Sequence, residues 1–189
     1  MSPRIGLDFD KVLNEAAEIV DSEGFGSLTL AVLAKKLNIR PPSLYNHVAG
    51  LPALKQKLAV FGLERLFAVM EEASKGEIGD AAIRRVGASY VNFVRSHQGL
   101  YEAGCKAVDH NDKEQVAAGR KIVELSLKLL QPYGLSEQDA LHAVRGLRSL
   151  LHGFVSIEQS GGFGLDLDLD QSLQFILDRY LAGLQRSSN

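Results

Sequence analysis

The chain has 189 residues, of which 46% are hydrophobic, and a formal net charge of -2. That is enough apolar surface for a sizeable core in one or two domains, and too little positive charge for a protein that coats nucleic acid, so any DNA contact has to be local. The lone cysteine, Cys105, excludes an internal disulfide and fits a reducing compartment; with no signal-peptide run in Met1–Gly6 and no apolar stretch near the roughly 20 residues of a membrane span, the expectation is a soluble, cytoplasmic protein with no membrane partner.

Asp8 caps a first predicted helix whose Phe9, Val12, Leu13, Ala16, Ala17, Ile19 and Val20 share one face, and Gly24 stops it. Thr29 caps a second, in which Leu30, Leu33, Ala34 and Leu37 follow the i, i+3, i+4, i+7 spacing of a buried stripe. Asn38 suits a left-handed turn residue. Pro41 and Pro42 are tolerated only at a helix start, so the third helix begins near Pro42 and runs to His47. Leu44 and Val48 then face inward, and Ser43, Tyr45, Asn46 and His47 face outward. Two short helices joined by a tight turn are a device for placing a helix in the DNA major groove. Charge agrees: no carboxylate occurs between Glu23 and Glu64, a window that holds Lys35, Lys36, Arg40, Lys55 and Lys57.

On Glu23-Gly24-Phe25, Thr29 and Leu44-Tyr45-Asn46-His47-Val48, the segment from Leu7 to about Leu66 resembles the N-terminal domain of the tetracycline-repressor (TetR) family of bacterial transcriptional regulators. The expected partner is double-stranded operator DNA. Thr29, Tyr45 and His47 are expected to hold phosphates, with charge added by Lys55 and Lys57. Base edges fall to Arg40, Pro41, Ser43 and Asn46, with Arg40 suited to guanine, Asn46 to adenine, and Pro41 or Pro42 to a thymine methyl. Two positions depart from the family pattern. Leu51-Pro52 stands where many members carry a lysine, and Ala31 where some carry a base-reading arginine.

A fourth helix is predicted from about Pro52 to Ala73, and Lys75–Gly79 breaks it and marks a domain boundary. Beyond lie helices over Asp80–His97, Lys113–Leu130 (capped by Asn111 or Asp112) and Glu137–Gln159 (capped by Ser136), with a short turn near Leu100-Tyr101-Glu102. Leu165-Asp166-Leu167-Asp168-Leu169-Asp170 alternates like a strand, but an isolated strand has no partner, so it reads as a loop ending in a cap for a last helix from about Asp170 to Arg186. The predicted class is all-α with about nine helices: a helix-turn-helix head over 1–50, a connecting helix over about 51–74, and an effector-binding and dimerisation domain over 75–189.

The last two helices have more apolar surface than one core requires, which predicts a homodimer packed as a four-helix bundle through Leu147, Leu151, Phe154, Leu173, Ile176, Leu177, Tyr180, Leu181 and Leu184. The resemblance points the same way, since family members dimerise there. Within the family, Leu151-His152-Gly153 resembles a C-terminal subgroup named for a Trp-His-Gly motif, with Leu151 at the Trp position. An unknown small-molecule effector is expected in a chamber lined by Tyr90, Phe93, His97, Tyr101, Cys105, His142, Arg145, Arg148 and His152, which mix aromatic and polar groups as ligand pockets do. Neither a cofactor nor a metal is expected, because His97, His110, His142, His152 and Cys105 lack metal-ligand spacing. Catalysis is disfavoured too: Ser149 with His152, or His142 with Asp139, occur at plain helical spacings without a nucleophile elbow. A protein-binding helical adaptor would use the same amphipathic surfaces but leaves the acid-free segment unexplained.

Overall fold

The computed structural model describes residues 8–106 and 111–186; Met1–Leu7 and His110 lie outside them. Eight α-helices are present among the described residues: α1 (Phe9–Glu23), α2 (Leu30–Lys36), α3 (Leu51–Ser74), α4 (Gly79–Ser96), α5 (Gln98–Lys106), α6 (Lys113–Leu130), α7 (Glu137–Gln159) and α8 (Leu169–Arg186). A six-residue 3-10 helix, Pro41–Asn46, takes the place of the expected third helix and brings the number to nine; Phe25–Ser27 and Gln131–Tyr133 are shorter 3-10 turns. The fold is all-α.

Local chemistry sets the boundaries. The Thr29 hydroxyl accepts from the Val32 N–H at 3.1 Å, Asp112 from Glu114 and Gln115, Ser136 from Asp139, and Asp168 from the Gln171 N–H at 2.8 Å, so α2, α6, α7 and α8 each start with a side chain on amides left orphaned by the first turn. Gly24, Gly76 and Gly79 break the chain at φ values of 87°, 75° and 62°, a region costly for residues that carry a Cβ.

Contacts divide the chain into two compact units. The first comprises residues up to Arg65 together with Ser96–Ala118; the second comprises Leu66–Arg95 and the chain from Gly119. The first unit takes in α3 as far as Arg65, the start of α6 and the whole of α5. The presence of α5 corrects the expectation of a short turn near Leu100-Tyr101-Glu102. Leu100 and Ala103 are fully buried on this helix. It approaches α1 and α3 so closely that only glycine fits at two points. A Cβ on Gly99 would lie 1.9 Å from the Val20 carbonyl oxygen, and one on Gly62 would lie 2.8 Å from that of Leu100. Asp21 joins α1 to α5, accepting from the Leu100 N–H at 2.8 Å with its other oxygen 2.8 Å from His97 Nδ1.

The second unit is built on large side chains. Ile83, Val86, Leu130, Leu147, Leu151, Phe154, Leu173, Leu177 and Leu181 are all buried. Polar links run around this core: Arg84 Nε donates to Asp178 at 2.6 Å, and Arg95 reaches Glu158 at 3.0 Å and Asp170 at 2.7 Å. The Tyr133 hydroxyl donates to Asp80. Burial first, and this bond second, raise its pKa above the usual tyrosine range.

This core overlaps the expected dimer face. Leu147, Leu151, Phe154, Leu173, Leu177 and Leu181 are spent inside their own unit. Tyr180 is half-buried with its hydroxyl donating to the Ala143 carbonyl, and Leu184 is half-buried as well. Ile176 alone of the nine counts as exposed, at 37%. Part of the apolar surface of α7 and α8 is covered within the unit, where Gly87 of α4 lies against Leu177 and Leu151, while Leu141, Ile157, Phe175 and Ile176 stay exposed.

Candidate nucleic-acid interface

The helix-turn-helix is built from α2, the turn and the 3-10 helix. Asn38, at φ 53°, is left-handed as its side chain permits, and the Ile39 N–H returns to the Ala34 carbonyl at 3.0 Å. Pro41 and Pro42 supply no N–H, so the next element opens with the Ser43 N–H bonded three residues back to Arg40 at 2.9 Å. Only at Val48, whose N–H reaches Leu44 at 2.9 Å, does an i to i−4 bond return. Leu44 is fully buried and Val48 nearly so, which turns the opposite side outward.

That outward side holds the predicted contact residues. Arg40, Pro41, Pro42, Tyr45 and Asn46 are exposed, Tyr45 at 63%, while Ser43 and His47 are half-buried. Thr29 is exposed at the start of α2; capping uses an acceptor lone pair of its hydroxyl and leaves the proton to donate. Lys55 stands with its ammonium 4.6 Å from the centroid of the Phe25 ring. A cation over an aromatic face is held in place without being neutralised.

The five cations of the acid-free window separate on inspection. Lys36 pairs with Glu18 at 2.8 Å and Glu15 at 3.7 Å, and its pKa is raised chiefly by the bond to Glu18. Lys57 pairs with Glu114 at 2.6 Å. No such carboxylate meets Lys35, Arg40 or Lys55 among the described residues. The neutralising acids come from α1 and α6, outside the window, which is why the charge count along the sequence does not find them. Lys35, exposed in the last turn of α2, is the cation the contact prediction left out. Its signal was present in the sequence as the neighbour of Lys36 one step around the helix.

The sequence pattern described as "Tetracyclin repressor-like, C-terminal domain" matches residues 83–180. The HTH-type transcriptional regulator YobS of Bacillus subtilis is 44% identical over 97% of this chain and 96% of its own length. The chain belongs to the TetR family. It is therefore a DNA-binding transcriptional regulator, of a family that is not enzymatic. Solved structures agree on the fold. A Rhodococcus sp. RHA1 protein of unknown function superposes with a TM-score of 0.84 at 21% identity, covering 98% of this chain and 100% of that one. A tetracycline-repressor variant from Acinetobacter baumannii, in complex with minocycline, gives 0.72 at 23% identity, covering 97% and 99%.

Within this TetR chain the expected effector residues are divided between the two units. Tyr90 and Phe93 are buried on α4 in the second unit. His97, Tyr101 and Cys105 are half-buried in the first unit, where His97 faces Asp21. His142, Arg145, Arg148 and His152 lie on the exposed side of α7, so their own unit does not wall them in. Helical periodicity alone could not separate them from the inward side. They occupy the polar gaps between Ala143, Val144, Leu147 and Leu151, which are buried. No group of three or more potential metal ligands occurs among the described residues, and no helix among them is long and apolar enough to cross a membrane.

Proposed function

We propose that this regulator is a homodimeric repressor that holds a palindromic operator and is released from it by a small-molecule effector. The observation that carries the reading is the outward face of the Pro41–Asn46 helix: Arg40, Tyr45 and Asn46 are exposed above a buried Leu44, beside cations that meet no carboxylate among the described residues. Thr29, Tyr45 and His47 take phosphates, with Lys55 and Lys35 adding charge. Arg40, Pro41, Pro42, Ser43 and Asn46 meet base edges. Lys36 and Lys57, already paired, contribute little.

Two heads on one dimer read half-sites about one helical turn apart, roughly 34–36 Å. The dimer would form through the exposed remainder of α7 and α8, including Ile157, Phe175 and Ile176, rather than through the leucines consumed by the core. The effector acts by preferring the form that does not fit the operator, and operator and effector affinities are then coupled reciprocally. The Acinetobacter relative is solved in complex with minocycline, which supports an effector of drug size; Tyr90 and Phe93 are buried aromatics of the second unit, where the effector is placed in this reading.

Fluorescence anisotropy with DNA from upstream of the protein's own gene tests the reading. Binding should weaken steeply with salt, each neutralised phosphate adding about 0.9 to the log–log slope. Tyr45→Phe should weaken all sequences alike, and Asn46→Ala should relax discrimination at one position. Unchanged operator binding in both variants would remove this face from the interface.

A further inference from the structure

We propose that the loop between α7 and α8 is a docking arm for a second copy of the chain, its Leu165 and Leu167 covering the N-terminal half of the other copy's α7 and its Asp166 pairing with Arg145 or Arg148 there. The proposal rests on the dimer reading above and goes beyond it by naming an interface outside the helical bundle.

The arm is anchored at both ends. At its start the Gly162 N–H bonds to the Ile157 carbonyl at 2.8 Å, and the Phe163 ring lies 5.1 Å from that of Phe154. At its end Asp168 caps α8. Between the anchors Leu165 is 78% exposed and Leu167 66% exposed, so their own subunit leaves both in water. Two neighbouring leucines held outward between fixed ends form an apolar patch that a partner surface would cover.

Charge selects the occupant. The aspartates here have different fates: in the arm Asp168 is a cap and Asp166 enters no ion pair or hydrogen bond among the described residues, while Asp170, already on α8, pairs with Arg95. An acidic arm repels DNA phosphate and anionic lipid alike. It fits a surface that is apolar and cationic, and this chain carries one. From Ala140 to Ile157 the sequence holds no carboxylate, and on the exposed side of α7 lie Leu141, His142, Arg145 and Arg148. Neither arginine forms an ion pair among the described residues. A two-fold axis across α7 places each arm on the opposite half of the other copy's helix, so the contact is made twice.

Sedimentation equilibrium of the full chain, with circular dichroism to confirm folding, tests this. Asp166→Arg, Arg145→Glu combined with Arg148→Glu, and Leu165→Ser combined with Leu167→Ser should each weaken the dimer about tenfold or more, while all three keep the wild-type far-UV circular dichroism spectrum. Joining Asp166→Arg to the two arginine changes should recover most of the loss. A wild-type chain that stays monomeric overturns the dimer reading and this proposal with it. A wild-type dimer whose dissociation constant is the same in every variant overturns the arm alone.

Discussion

The two compact units solve the problem of holding helices together in different ways. In the first, α5 meets α1 and α3 backbone to backbone, through Gly99 and Gly62, with Asp21 as the polar tie. In the second, α4, α7 and α8 are held apart by leucine, valine and phenylalanine side chains, and ion pairs lie around the rim. A backbone contact has no rotamer to adjust, whereas a side-chain contact gives way by fractions of an ångström. The first unit should be intolerant of small changes at few positions, and the second moderately sensitive at many.

The sharpest way to break that contrast is to add one methyl group to each unit. Gly99→Ala places a carbon 1.9 Å from the Val20 carbonyl oxygen, an overlap that only separation of α1 from α5 relieves. The expected outcome exceeds the usual overpacking cost of about 1–3 kcal/mol, and thermal melting should show the variant largely unfolded at room temperature. Gly87→Ala meets the end of the Leu177 side chain at 2.9 Å instead, and should stay within about 1–3 kcal/mol. Equal losses at the two positions would dissolve the distinction.

Leu177→Ala comes next. The residue is 1% exposed in the core of its own unit, so truncation should cost about 2–5 kcal/mol in urea denaturation, with the self-association of the folded fraction unchanged. If the variant instead kept its stability and lost only its dimer, Leu177 would be an interface residue as its spacing suggested.

That ambiguity marks the limit of what the sequence carries. The head was legible because its signals are local: Thr29 three residues before Val32, Asn38 where φ turns positive, and Pro41-Pro42 where a helix must open. Even in a stretch that alternates like a strand the sequence reads as a loop ending in a helix cap, and Asp168 supplies it by accepting from the Gln171 N–H. Periodicity on α7 and α8 says only that two sides are apolar. Whether the second side meets α4 or another copy depends on residues more than fifty positions away, such as Gly87. The same holds for α5, whose nine residues carry three glycine or alanine contacts instead of an apolar stripe, and for Lys36 and Lys57, whose acids sit on other helices.

A smaller effect is expected at Thr29. Replacement by alanine removes the acceptor for the Val32 N–H and should cost about 1 kcal/mol of stability, whereas Thr29→Ser keeps the cap. Operator affinity should fall in the alanine variant by more than its population of folded protein explains if, as proposed, the same hydroxyl donates to phosphate. Anisotropy at a temperature where both variants are folded separates the two contributions. If affinity simply tracks stability, Thr29 is a cap and nothing more.

The smallest change should have the opposite sign. Gly119 lies inside α6, and a Cβ there meets no described atom within 4 Å, unlike those at Gly62, Gly87 and Gly99. With no close approach to protect, a glycine in a helix interior contributes only backbone entropy to the unfolded chain, so Gly119→Ala should stabilise by about 0.5–1 kcal/mol. Melting of the variant beside Gly99→Ala then tests the comparison from its quiet end. The same methyl group that separates α5 from α1 should raise the melting temperature here, because the glycine at 99 is required by its neighbours and the glycine at 119 has none within reach. A loss at Gly119 in the isolated chain would mean that α6 is more closely covered than its open surroundings indicate, and small residues would then signal close packing in both units rather than in the first.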